Sequence, residues 1–338
     1  MTEPAGDPGR RLTPVVRVAP AKLNLSLAVV GRRPDGYHAL HSVFVPLELS
    51  DRLSLSQAGS GLLSSDSLHV TGLDAGPLEG NLVLRAIAAA RIAVGGGWPG
   101  GPAPAPALAA RLEKRIPVAA GLAGGSSDAA AAFDGALEAW GAELDPDTRL
   151  SVAARLGSDV PFFLGGVPAL IEGRGEQVAP LPGLRGSPGV LLLTPAIAVP
   201  TVEVFNLFDG LGGRGNEATR MSSGHLAEEL RSGLSAADLV ARAGALSVSN
   251  DLLPAVLLLI PELVPLRRAL SRLLVRPVGL SGSGPTLWAL YPSTAEAAEA
   301  ADIVRAAISE GRLPAAGSDP PFVTATTILH ASQQERQS

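Results

Sequence analysis

The chain has 338 residues, 46% of them apolar and only 4% aromatic, with a formal net charge of −5 at pH 7. That length supplies material for about two domains at roughly 150 residues each, with cores built from Ala, Val and Leu. The acidic balance argues against a protein that coats nucleic acid, and the lack of cysteine excludes disulfides, thiolate metal sites and cysteine nucleophiles.

Met1 to Arg11 is polar, with no apolar segment of the kind a signal peptide needs. Val15 to Gly31 and His41 to Ser56 alternate apolar residues and read as strands. Asn81 to Val94 reads as a helix capped by Asn81. Gly95 to Ala107 is rich in Gly and Pro and reads as a surface loop, followed by a strand over Leu108 to Arg115. Ser127 to Trp140 is an Ala-rich helix and Asp147 to Leu156 a second one, which leaves Asp159 between that helix and a hydrophobic strand. A break is expected at Gly183 to Pro188, then a buried strand over Val190 to Thr194 and a Gly/Ser-rich loop over Gly210 to Gly224. Leu252 to Leu274 forms one or two helices bounded by prolines. Its apolar part is too short and too interrupted by Pro254, Pro261, Glu262 and Pro265 to span a bilayer. Val278 to Tyr291 reads as strand, Gly-rich turn, strand; Ala295 to Gly311 as a helix; Phe322 to Ile328 as a closing strand; and Ala331 to Ser338 as a frayed end. Mixed α and β structure in a soluble, cytoplasmic protein is expected.

The most specific local signal is Pro117-Val118-Ala119-Ala120-Gly121-Leu122-Ala123-Gly124-Gly125-Ser126-Ser127, ahead of an Ala-rich helix. Small residues let backbone N–H groups approach an anion, and the helix start adds unpaired N–H groups and its positive dipole end. Ser126 and Ser127 can cap that helix or donate to phosphate. A small-residue turn packed close to a sheet is the plainer alternative, but three glycines and two serines at a helix start favour a phosphate cradle. The segment is not a Walker A loop, because neither lysine follows a glycine. The single G-x-G-x-x-G match at Gly95, Gly97 and Gly100 leads into Gly-Pro sequence rather than a helix, so it is not a dinucleotide fingerprint. Of the 27 basic residues only Lys22 and Lys114 are lysines, so each marks a place where a compact ammonium is wanted rather than a planar fork.

Four stretches together resemble the GHMP kinases. Ala19-Pro-Ala-Lys-Leu-Asn-Leu-Ser-Leu27 with Gly31-Arg-Arg-Pro-Asp-Gly-Tyr-His38 is similar to the N-terminal signature of the 4-diphosphocytidyl-2-C-methyl-D-erythritol kinases. Pro117 to Ser127 resembles the family's ATP loop, Leu156-Gly-Ser-Asp-Val-Pro-Phe-Phe163 its catalytic-aspartate motif, and Leu280-Ser-Gly-Ser-Gly-Pro-Thr286 its C-terminal motif. The matches follow the family's order and run over roughly residues 15 to 290. The ATP loop departs from the pattern in having Ala123 where many members carry glycine. One methyl is tolerated there if the residue keeps φ below zero.

The resemblance implies an α+β protein, the two-domain α/β GHMP kinase fold. A left-handed β-α-β crossover lies in the N-terminal domain and the active site in the interdomain cleft. The N-terminal ATP-binding domain is expected over 1–185 and the C-terminal domain over 186–338. It further implies transfer of the ATP γ-phosphoryl to the 2-hydroxyl of a cytidyl-linked methylerythritol, with Mg²⁺ expected beside ATP and metal ligands unassigned. Asp159 becomes the base, against the alternative of a helix-terminal cap. Lys22 becomes its ionic partner, against a lysine reaching out from an edge strand. Asn24, two residues on and on the same strand face, becomes a substrate-hydroxyl contact. Tyr37 and His38 become the cytosine site, with Phe205 as a second ring, and Ser281, Gly282 and Ser283 close over the substrate; the plainer readings are surface aromatics and an ordinary hairpin. Another small-alcohol kinase such as a homoserine kinase, or a decayed nucleotide-binding regulator, are the rival readings. The expected partners are ATP and the polyol, with no nucleic acid and no membrane, in a monomer or homodimer.

Overall fold

The computed structural model describes residues 14–57, 65–95 and 105–329. Met1 to Arg11, Ala331 to Ser338 and most of the Gly95 to Ala107 loop lie outside them. Two long strands, β1 (Val15–Arg32) and β2 (His38–Gln57), form an antiparallel hairpin whose turn is closed by the Arg33 N–H donating to the Tyr37 carbonyl at 2.7 Å. Strand β3 (Ser67–Gly72) precedes helix α1 (Leu82–Val94), where the Asn81 side chain accepts the Val83 N–H as a cap. Strand β4 (Leu108–Lys114) leads through the glycine-rich loop into α2 (Gly124–Trp140), α3 (Pro146–Leu156) and α4 (Val160–Gly165). Strands β5 (Ala169–Gly173) and β6 (Gln177–Pro180) complete the first sheet, in the order β3-β4-β2-β5-β6 with β1 on β2. Strand β2 is the organising element: its start pairs β5, its end pairs β4, and its length pairs β1.

The second sheet begins at β7 (Gly189–Thr194). Helices α5 (Thr201–Gly210), α6 (Glu217–Arg231), α7 (Ala236–Ala241), α8 (Ala243–Leu246), α9 (Leu253–Leu259) and α10 (Leu263–Leu274) follow. Strands β8 (Gly279–Leu280) and β9 (Leu287–Tyr291), helix α11 (Thr294–Ser309) and β10 (Phe322–Thr327) close the chain, giving the order β10-β7-β9-β8. Two sequence expectations are corrected here. The segment Gly210 to Gly224 is a loop only in its first half, because Asn216 caps α6 and Ser223 of that helix bonds to Ser26 of β1 and His41 of β2. Asp159 is followed by the short helix α4, not by a strand, because Pro161 in its first turn suits a helix start.

Packing explains the alanine content. Ala129, Ala130, Ala132 and Ala136 of α2 are buried against Ala86, Ile87 and Ala90 of α1 and against Leu53 and Leu55 of β2, so small side chains set a close approach of two helices to the sheet. The opposite face of the first sheet, through Leu23, Leu25, Val43 and Val45, shares a core with Leu230, Leu239 and Trp288, and this continuity fixes β1 against the second half of the chain. Among the described residues no helix is long and apolar enough to cross a membrane.

Candidate active site

Strand β1 carries the first functional side chains. Its register against β2 slips between Pro20 and Lys22 and again between Asn24 and Ser26, so Lys22 and Asn24 sit between two bulges. Bulges re-aim side chains, and here they turn Lys22 and Asn24 into a cavity of about 610 Å³. The Lys22 side chain is buried and does not reach out to solvent. Its ammonium donates to the Asn24 Oδ1 at 2.5 Å and to the Gly121 carbonyl at 2.9 Å, and lies 3.9 Å from the Asp159 carboxylate. It also stands 4.8 Å above the Phe44 ring. Burial lowers the Lys22 pKa below its ordinary value, and Asp159 pulls it part of the way back. Asp159 occupies the position before α4 but makes no capping bond with its side chain, so its carboxylate is free for the cavity.

The glycine-rich loop forms the wall opposite. Pro117 to Gly121 and Ala123 to Ser126 line the cavity, and the Leu122 carbonyl accepts the Lys22 backbone N–H at 3.0 Å. Gly121 sits at φ +75°, and a Cβ there would meet the Ser281 carbonyl oxygen at 2.3 Å. Its carbonyl also accepts the Ser281 hydroxyl at 3.0 Å, so the ATP-like loop and the C-terminal turn are in direct contact. Ala123 corrects an expectation: it adopts φ +54°, in the left-handed region, not a negative φ. The helix α2 starts at Gly124, three residues before the sequence suggested, so Ser126 is in its first turn among N–H groups without an intrahelical partner, while the Ser127 N–H already donates to the Ala123 carbonyl at 3.0 Å. Ser126 lines the cavity. Ser127 does not; it is buried against a smaller recess on the other side of α2, beside Arg17 and Asp134.

Gly282 and Ser283 line the cavity, while Ser281 is buried behind it. Phe205, on α5, lines the far end, and the Ser283 hydroxyl is 3.0 Å from that of Thr201 at the start of the same helix. His38 stacks on Phe205 with ring centroids 4.7 Å apart and lies 2.7 Å from Asp209. Tyr37 is 52% exposed, outside the cavity wall, with the Arg174 guanidinium 5.3 Å from its ring. His38 thus occupies one face of Phe205, and Tyr37 does not line the cavity that Phe205 lines.

Sequence reasoning missed a buried ion cluster behind the loop. Lys114, at the end of β4, donates to Asp51 and, at 2.8 Å, to Asp128 in the first turns of α2. Asp51 also accepts the backbone N–H groups of Arg115 and Ile116. One oxygen of Asp128 has no partner, and burial with the neighbouring Asp51 charge outweighs Lys114 and raises its pKa to about 7. The scarcity of lysine singles out Lys114 in the sequence, but nothing there names Asp51 or Asp128 as its partners. Asp209, Thr201, Phe44 and the stretch from Ala75 to Leu82 also shape the site without any motif to announce them.

Two family models match this chain: the GHMP kinases N terminal domain over residues 81–166 and the GHMP kinases C terminal domain over 226–310. A 4-diphosphocytidyl-2-C-methyl-D-erythritol kinase of Symbiobacterium thermophilum is 39% identical over 272 residues, covering 80% of this chain and 89% of that protein. The chain belongs to the 4-diphosphocytidyl-2-C-methyl-D-erythritol kinase family, within the GHMP kinases. A crystal structure titled 4-(cytidine 5'-diphospho)-2C-methyl-D-erythritol kinase superposes with a TM-score of 0.66 at 31% identity, covering 93% of this chain and 99% of that one. A homoserine kinase from Cytophaga hutchinsonii, at 17% identity and a TM-score of 0.64 over 97% of each chain, shares the fold. The α+β architecture expected from the motifs is therefore that of this kinase family.

Proposed function

We propose that the protein transfers the γ-phosphoryl group of ATP to the 2-hydroxyl of 4-diphosphocytidyl-2-C-methyl-D-erythritol, giving the 2-phosphate and ADP. One observation carries the reading: the buried Lys22 ammonium lies 3.9 Å from Asp159, in the cavity walled by the glycine-rich loop. The gap is long for a direct hydrogen bond, and an acceptor hydroxyl fits beside both groups. Asp159 takes the hydroxyl proton as the phosphoryl group transfers, and Lys22 stabilises charge on the attacking oxygen. The loop N–H groups and the start of α2 hold the triphosphate of ATP. Catalysis then rests on positioning and electrostatics.

Mg²⁺ enters with ATP. The cavity wall offers separated oxygen donors, among them the Ser126 hydroxyl and the carboxylates of Glu79, Asp128 and Asp159, rather than a closed cage. That suits an ion that keeps waters and phosphate oxygens and takes one or two protein ligands; when bound it supplies neutralisation of phosphate charge. Asn24, Gly282 and Ser283 contact the polyol, and Phe205, backed on one face by His38, is the ring that meets the cytosine. We assign the nucleotide-binding domain to 1–185 and the second domain to 186–338, in the cytoplasm.

The test is ADP release by purified protein with Mg-ATP, comparing the cytidyl-linked methylerythritol with homoserine and mevalonate. Turnover confined to the cytidyl compound is the expected result. Turnover with another alcohol overturns the substrate, and nucleotide binding without turnover on any of them overturns the reaction.

A further inference from the structure

We infer that Ser42 is a positioning residue for catalysis, acting through Asn24 to fix the direction in which the Lys22 ammonium presents its third proton. This rests on the roles proposed above for Lys22 and Asp159. Ser42 is fully buried on β2, does not line the cavity, and belongs to none of the four motifs.

The logic is one of donors and acceptors. A serine hydroxyl has one proton, and Ser42 spends it on the Ser26 carbonyl. Toward Asn24 it therefore acts as an acceptor, and the Asn24 amide presents its NH₂ group at 3.1 Å. The Asn24 oxygen is thereby turned toward Lys22, whose ammonium is donor-only and meets it at 2.5 Å. Two of the three ammonium protons are then committed, one to Asn24 and one to the Gly121 carbonyl. Tetrahedral geometry leaves no freedom for the third, which faces the Asp159 side of the cavity.

The support beneath Ser42 is itself ordered. The Ser26 hydroxyl accepts the Val43 N–H at 3.2 Å and donates to the Ser223 hydroxyl of α6 at 2.9 Å. Ser223 is in turn 3.0 Å from His41 Nδ1. A row of buried hydroxyls thus holds the Ser26 carbonyl still, just past the second bulge of β1, and sets the one orientation open to the Ser42 proton.

The test compares Ser42→Val with Ser42→Thr, which share a shape and differ by the hydroxyl. Ser42→Val should lower kcat by about tenfold while the KM values of ATP and of the cytidyl substrate stay within about threefold, and Ser42→Thr should keep kcat within about threefold. Ser42→Ala replaces Ser42→Val if the latter melts below the assay temperature. A second readout does not need turnover. The chain has only two lysines, so ¹³C-lysine labelling gives two side-chain signals. The Lys22 signal should move in Ser42→Val and hold in Ser42→Thr, while the Lys114 signal holds in both. Wild-type turnover in Ser42→Val, equal losses in the Val and Thr variants, or an unmoved Lys22 signal would each overturn the inference. Absence of turnover in the wild type instead overturns the proposed reaction, and the lysine signals then decide this inference alone.

Discussion

Gly121 is where the glycine-rich loop, Lys22 and the C-terminal turn converge, so Gly121→Ala tests the whole proposed arrangement. The added Cβ would lie 2.3 Å from the Ser281 carbonyl oxygen and 3.0 Å from that of Gly284. Both are backbone atoms, so the contact cannot be relieved by a rotamer change, and a separation of about 1 Å is needed to restore ordinary van der Waals distance. Alanine at φ +75° adds roughly 1–2 kcal/mol of backbone strain, and overpacking roughly 1–3 kcal/mol more, so the total is about 2–5 kcal/mol. If the loop swings away to relieve the clash, the Gly121 carbonyl leaves Lys22, and a shift of that size at the reacting centre costs about 100-fold in kcat. Urea denaturation and ADP release measure the two parts. Gly311→Ala is the control, since Gly311 is also left-handed at φ +67° but has open space where its Cβ would go; only the backbone cost of roughly 1–2 kcal/mol is expected there. A Gly121→Ala protein within about 0.5 kcal/mol of wild type and within about twofold in turnover would refute the reasoning.

Lys22→Ala and Asp159→Asn should each lower kcat by at least about 100-fold with much smaller changes in either KM, as steady-state kinetics will show. Phe205→Ala removes the ring that His38 stacks on, and should raise the KM of the cytidyl substrate by about tenfold while leaving that of ATP near wild type. Asp128 gives a pH signature. Its folded pKa is raised above the unfolded one, so between about pH 4 and 7 the folded state binds more protons and stability falls as pH rises. Asp128→Asn should therefore gain on wild type in urea midpoint between pH 5 and pH 8, and equal slopes for the two proteins would argue against the buried carboxylate. Ala123→Gly removes a left-handed alanine at the expense of unfolded-chain entropy, so a net gain of roughly 0.5–1 kcal/mol is expected in the same assay.

What the sequence determined by itself was local chemistry. Glycines and serines ahead of an Ala-rich run make a backbone-lined anion cradle or a close-packed turn, and the structure shows the close packing, at Gly121 against Ser281 and Gly284. Alternating apolar residues over Val15 to Gly31 dictated a strand, and Asn81 dictated a helix start that the structure shows as a cap. The motif order, carried by the same residues, was enough to expect the kinase fold. Such signals act over one turn or a few residues, which is the range of propensity and capping.

Tertiary structure decided the rest, because the deciding contacts join distant segments. Lys22 meets Gly121 across 99 positions, and Ser281 meets Gly121 across 160. The bulges that aim Lys22 and Asn24 arise from pairing with β2; Pro20 marks the first, and no residue of β1 announces the second. Burial turned Lys114, Asp51 and Asp128 into one ion cluster, when each alone reads as a surface charge. The left-handed conformation of Ala123 and the inward turn of Ser127 were likewise imposed by docking the loop against the strands, since a methyl or a hydroxyl states no preference strong enough to resist that packing. A sequence records which groups are available; the free energy of burying them together settles which of them meet.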